Sequence, residues 1–172
     1  KPKDLLSIAR ALGLNPDYLE TGEGERLAAE DWPAAKVRRI HQRLSAGRGH
    51  AVYYDASESW LAFQPTFLKK MGVSEKSAAI FDVSGQSMVP ELHDGSVVLI
   101  NMNVRNDTII DGKHYAFILD DECLVKTLYK LKDGSIKAVS QNPDKETYPD
   151  ITLDGKQKFE LLGMVLWEGR TI

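Results

Sequence analysis

The chain has 172 residues, 42% hydrophobic and 27% charged, a balance that suits a soluble globular protein with one substantial domain and a smaller one. Its formal net charge of −3 gives no global attraction to nucleic acid, so a DNA-binding surface has to be local or lie outside the chain. No apolar run approaches membrane-spanning length and no signal peptide opens the chain, while the single cysteine, Cys123, excludes an internal disulfide framework and suits a reducing cytoplasm.

In chain order, Asp4 to Leu12 carries apolar residues at helical spacing, with Gly13 as its stop. Asn15-Pro16 pairs an N-cap with a proline at the first helical position and opens a short turn, Asp17 to Glu20, that breaks at Thr21-Gly22-Glu23-Gly24. The phrase Ile8-Ala9 to Leu12-Gly13-Leu14-Asn15-Pro16-Asp17-Tyr18-Leu19 resembles the closing helices of the helix-turn-helix domain in phage-type repressors. Two helices this short bury no core alone and no recognition helix is visible, so residues 1–24 are read as the C-terminal part of a DNA-binding domain. Read without the resemblance, the segment is a small helical appendage.

Residues 25–45 are polar and mixed in charge and are expected to be a linker, with a helix through Ala34 to His41. Its basic cluster, Lys36, Arg38, Arg39 and Arg43, lacks aromatic and base-reading neighbours and reads as a solvated face. Small residues and glycines follow in Leu44-Ser45-Ala46-Gly47-Arg48-Gly49, which lets the backbone bend and press closely against another group.

From residue 46 to 172 the pattern is β-rich. Val52-Tyr53-Tyr54 is expected as a strand, and Trp60 to Met71 as an aromatic loop entering a short helix ended by Gly72. Strand-like runs at Ala79–Val83, Val97–Asn101, Tyr115–Leu119, Leu124–Tyr129, Ile136–Val139 and Phe159–Trp167 are separated by turn signals. Asp133-Gly134 is the clearest hairpin signal.

Two residues stand out for chemistry. Ser87 follows a strand, lies two residues after Gly85, and precedes Pro90, which blocks a continuing ladder. The turn can therefore present the Ser87 hydroxyl and adjacent N–H groups to a substrate. On local chemistry alone, a serine beside a glycine is usually an ordinary turn residue. Lys126 lies in a β-type run on the face of Leu124 and Leu128, where burial favours the neutral amine that a general base near neutral pH needs. The plainer alternative is a strand lysine reaching for water, the better reading of Lys130.

Together, Ser84-Gly85-Gln86-Ser87-Met88-Val89-Pro90, then His93-Asp94-Gly95 before Ser96 to Ile100, then Val125-Lys126, resemble the LexA and CI-type repressor peptidases, whose domain UmuD-type mutagenesis proteins share. The resemblance covers about Leu44 to Trp167. It implies a mainly β C-terminal domain of the LexA and signal-peptidase kind over residues 46–172, preceded by the α-helical remnant of the helix-turn-helix domain. It makes Ser87 the nucleophile, Lys126 its base, the Ser87 and Met88 backbone N–H groups the oxyanion donors, and Ala46-Gly47 the self-cleaved bond. It also implies a homodimer through the C-terminal domain, operator DNA as partner of the mostly absent N-terminal domain, and a RecA filament as the trigger for cleavage. No cofactor, metal or membrane partner is expected, and membrane-tethered signal peptidases are set aside by the lack of a spanning segment.

Other readings remain open. One is a non-cleaving dimerisation module inactivated by an antirepressor protein; another is a polymerase accessory protein of the UmuD type. His93, followed by Asp94, competes for the role of base, although three triad members packed so tightly along the chain rarely face one another. His41, His50, His93 and His114 show no metal-ligand spacing, and no Gly-x-Ser-x-Gly elbow or phosphate loop occurs.

Overall fold

The computed structural model describes residues 3–23, 34–45 and 59–170. The chain divides into two compact units, Lys1–Ala34 and Ala35–Ile172. In the first, helix α1 spans Lys3–Leu12 and α2 spans Pro16–Thr21. Gly13 turns the chain at φ 64°, a conformation costly for other residues, and the Leu14 N–H donates to the Ala9 carbonyl at 2.9 Å. Asn15 caps α2 by accepting from the Asp17 N–H at 2.9 Å, and left-handed Gly22 closes it with a bond to the Tyr18 carbonyl.

The second unit is mainly β. Its strands are β1 Ala35–Ser45, β2 Trp60–Phe63, β3 Ala78–Ser84, β4 Val97–Asn101, β5 Lys113–Leu119, β6 Glu122–Lys130, β7 Ile136–Val139, β8 Ile151–Leu153 and β9 Phe159–Gly169, with helix α3 over Pro65–Lys70. They form one sheet in the order β2-β1-β3-β4-β9-β5-β6-β7-β8. An additional parallel pairing joins Ser45 of β1 to Leu124 of β6, so β1, β3, β4, β9, β5 and β6 close into a ring of strands.

Both faces of the central strands are buried. Ala79, Phe81 and Val83 of β3, Val98 and Ile100 of β4, Ala116 of β5 and Cys123 and Val125 of β6 share one core with Met88 and Leu92. The alternate residues Tyr115, Phe117, Leu124 and Leu128 join a second core, and Ile80 and Leu99 a third. Two-sided burial explains why Tyr115 to Leu119 of β5 reads as a continuous apolar run.

Three expectations need correction. The helix over Ala34 to His41 is strand β1, and the linker drawn over 25–45 ends by Ala35, because Ala35 and Val37 are buried while Lys36 and Arg38 are exposed, a period of two. The aromatic loop at Trp60 is strand β2, antiparallel to β1 with Trp60 opposite Arg38. Phe63 and Phe67 stack at 5.6 Å and both meet Trp167 edge-on, but Trp60 stays half exposed beneath the Lys36 ammonium, 4.6 Å from its ring. The expected strand at Val52-Tyr53-Tyr54 lies outside the described residues. The Asp133-Gly134 turn does join antiparallel strands, β6 and β7, with Gly134 at φ 87°.

Candidate active site

Strand β3 delivers the chain to the site and stops at Ser84. Gly85, at φ 92°, adopts a conformation that a side chain would strain, and its N–H donates to the Asp94 carboxylate at 2.7 Å. The base of the loop is tied by Val83 N–H to the Ser96 carbonyl at 2.8 Å and by Gly95 N–H back to Val83 at 3.0 Å. Met88 anchors the turn from below, being 1% exposed in the first core. This framing leaves Ser87 fully buried, with its side chain directed at β6 rather than at water.

Lys126 comes from β6, where Leu124 and Leu128 flank it on the same buried face. Its Nζ donates to Ser87 Oγ at 2.5 Å, and the residue as a whole is only 3% exposed. Burial disfavours the charged form, and the nearby Lys145 ammonium adds to that, while Asp150 opposes it; the balance brings the lysine from 10.5 down to about 8. A neutral amine in contact with a hydroxyl can accept its proton, which is the arrangement a serine nucleophile requires.

The loop between β7 and β8 closes one side of the turn. Asn142 donates its backbone N–H to the Ser87 carbonyl at 2.9 Å and its side-chain Nδ2 to the Gln86 carbonyl at 2.9 Å. Among the described residues, no acceptor is bonded to the N–H of Ser87 or of Met88. Asn142 was not singled out by its sequence context, since its partners lie 56 residues away and Gln-Asn-Pro reads only as a turn.

His93 does not approach the serine hydroxyl. Its backbone N–H donates to Glu168 at 2.8 Å and its Nδ1 lies 3.4 Å from that carboxylate, so the imidazole belongs to β9. His114 sits against Thr127 Oγ1 at 2.9 Å and 3.9 Å from Glu91, with its pKa lowered chiefly by burial. Ala46 and Gly47 lie outside the described residues. The backbone of Ser45, the residue before them, pairs with Ser84 of β3, three residues before Ser87, and with Leu124 of β6, two residues before Lys126. Among the described residues no His, Cys, Asp and Glu side chains cluster as a metal site, and no helix is long and apolar enough to cross a membrane.

Comparison with known proteins finds relatives over most of the chain. The chain is 27% identical over 194 residues to the HTH-type transcriptional regulator PrtR of Pseudomonas aeruginosa, covering 96% of this chain and 74% of that protein. It is 30% identical to the repressor protein CI of Enterobacteria phage phi80 over 126 residues, which is 72% of this chain and about half, 51%, of the phage protein. An uncharacterized HTH-type transcriptional regulator of Haemophilus influenzae is 24% identical across 98% of this chain and 79% of its own length. Residues 39–166, which include both Ser87 and Lys126, match the Peptidase S24-like family, and the chain belongs to that family.

Proposed function

We propose that this chain is part of a DNA-binding transcriptional repressor, of the phage or damage-response type, that inactivates itself by cutting the Ala46-Gly47 bond. The observation that carries the reading is the buried 2.5 Å contact between Lys126 Nζ and Ser87 Oγ, with the lysine brought down to about 8. Lys126 takes the hydroxyl proton as Ser87 Oγ attacks the Ala46 carbonyl carbon. The resulting oxyanion is met by the N–H groups of Ser87 and Met88. The protonated lysine then gives its proton to the Gly47 nitrogen as the C–N bond breaks, and water hydrolyses the acyl-serine to free the Ala46 carboxylate.

The register of β1 is compatible with the same bond, since Ser45, the residue before Ala46, pairs with Ser84 and Leu124. Holding substrate and nucleophile in one chain raises the effective concentration to about 10⁵–10⁸ M in favourable cases, so slow chemistry suffices for a single event.

Repressor function follows from the relatives named as transcriptional regulators and repressors, two of which span nearly the whole chain and so include α1 and α2. That span favours a repressor over a polymerase accessory protein. In this reading residues 1–24 end a helix-turn-helix domain that binds operator DNA, and the second unit forms a homodimer in the cytoplasm. The cut falls inside the second unit, after β1, so the helical unit then stays with the dimer only through the pairing of β1, and loss of that pairing removes the avidity of two linked DNA-binding arms without altering any DNA contact. The trigger is a RecA filament.

The test follows intact mass of the purified chain, alone and with an activated RecA filament, beside Ser87→Ala and Lys126→Ala. Fragments 1–46 and 47–172 in the parent only are the expected result. An uncut parent under both conditions overturns self-cleavage and puts forward a dimerisation module controlled by an antirepressor protein.

A further inference from the structure

The peptide units on either side of Ser87 are gripped from outside their own loop. In a trans peptide the C=O and the N–H of one unit point in opposite directions within one plane, so fixing the carbonyl fixes the amide. The Gln86 carbonyl shares its unit with the Ser87 N–H, and the Ser87 carbonyl shares its unit with the Met88 N–H. Asn142 binds both carbonyls, each at 2.9 Å. We propose that Asn142 is a positioning residue which, by holding the Gln86 and Ser87 carbonyls, aims the Ser87 and Met88 N–H groups at the developing oxyanion. This inference rests on the reading of Ser87 as a nucleophile.

The loop that presents Asn142 is built to be stiff. Asp150 accepts from the Ser140 N–H at 3.2 Å and pairs with Lys145 at 2.9 Å and Lys137 at 3.2 Å. Lys145 also donates to the Ser140 carbonyl, and Ser140 Oγ to the Pro149 carbonyl, so both ends of the loop are closed together. Inside it, the Asp144 N–H donates to Asn142 Oδ1 at 2.9 Å, which orients the amide so that Nδ2 faces Gln86. An exposed connector with only a covering role needs none of these ties; a part that sets the direction of two peptide planes needs all of them.

Asn142→Asp is the discriminating substitution. It keeps the shape, the backbone donor and the Oδ1 acceptor for Asp144, and replaces the Nδ2 donor to Gln86 with a charged oxygen that cannot donate, while Asn142→Ala removes the donor without adding charge. The full chain carrying Asn142→Asp or Asn142→Ala is expected to cleave itself about 10- to 100-fold more slowly, the range for a misaligned donor, and in Asn142→Ala, which adds no charge near Lys126, the midpoint of the pH–rate profile is expected to stay at the parent's. In the uncleavable Ser87→Ala chain, Asn142→Asp is expected to speed amide exchange at Gly85 and Val89 at least about tenfold, while strands β4 and β5 keep the parent's protection. Val89 reports directly, since its N–H donates to the same Gln86 carbonyl at 3.2 Å. A parent-like cleavage rate in both variants overturns the inference and leaves self-cleavage standing. If the parent itself never cleaves, the proposed function falls, and exchange alone then decides: faster exchange keeps Asn142 as the holder of the turn, and unchanged exchange removes it.

Discussion

Ser45, the last residue of β1, stands in parallel register with Leu124, which precedes Lys126 by two positions on β6. Through this single pairing the strand that leads to Ala46 closes the ring of strands beside the lysine. The same strand end pairs with Ser84, three residues before Ser87. One element therefore meets the carriers of both proposed catalytic side chains.

What holds β1 in that register includes an ion pair between Arg39 and Asp82 of β3, at 2.5 Å and half-buried. Among the described residues Arg39 Nε has no hydrogen-bond partner, so losing Asp82 leaves the guanidinium worse satisfied still. Asp82→Asn is expected to lower stability by about 1 kcal/mol, discounted for solvent screening, and to slow self-cleavage several-fold by loosening β1. Urea unfolding beside a cleavage time course checks both.

Lys126 makes stability depend on pH. Between about 8, its value in the fold, and 10.5, its ordinary value, the unfolded chain holds a proton that the folded chain has released. Stability therefore rises with pH across that window, and below it the fold carries the cost of a buried charge, about 3 kcal/mol. In the Ser87→Ala background, Lys126→Met is expected to be more stable than its lysine counterpart by about that amount near pH 7, with the gap closing toward pH 10.5. Urea titrations at several pH values measure it.

Gly163, in the middle of β9, faces β4 at close range. A Cβ there would lie 2.6 Å from Ile100 Cδ1 and 2.8 Å from the Asn101 carbonyl oxygen, and the backbone atom has nowhere to go. Gly163→Ala is expected to cost about 1–3 kcal/mol, read as a lowered thermal midpoint.

Cys123 reports unfolding. It is 1% exposed, and burial pushes its thiol up to about 12, so almost no thiolate is present at neutral pH. A thiol reagent is expected to label it only at the rate of unfolding, and labelling should accelerate with urea; rapid labelling of the native chain would contradict the packing of the first core.

Read locally, Ser87 is a turn serine and Lys126 a strand lysine; what singles them out in the sequence is the joint resemblance of Ser84 to Pro90, His93-Asp94-Gly95 and Val125-Lys126 to the repressor peptidases. Strands β3 to β7 and β9 were legible from apolar runs and turn residues, to within one or two residues at their ends. Strand β1 was not, because Val37 and Ile40 are spaced as on a helix while the alternation that counts, Ala35 and Val37 in and Lys36 and Arg38 out, is short and followed by a register shift after Ile40. Strand β8 has only three residues, too few for any period. Asn142 is invisible to local reading because its meaning lies in two carbonyls on a distant loop.

The central claim is that Lys126 is the base for Ser87, and the rate of self-cleavage against pH tests it most directly. With Lys126 at about 8, the single-turnover rate should climb close to tenfold per pH unit below that value and level off above it, and Lys126→Ala should abolish the reaction. A rate that is flat between about pH 6 and 9, or cleavage that persists in Lys126→Ala, would contradict it.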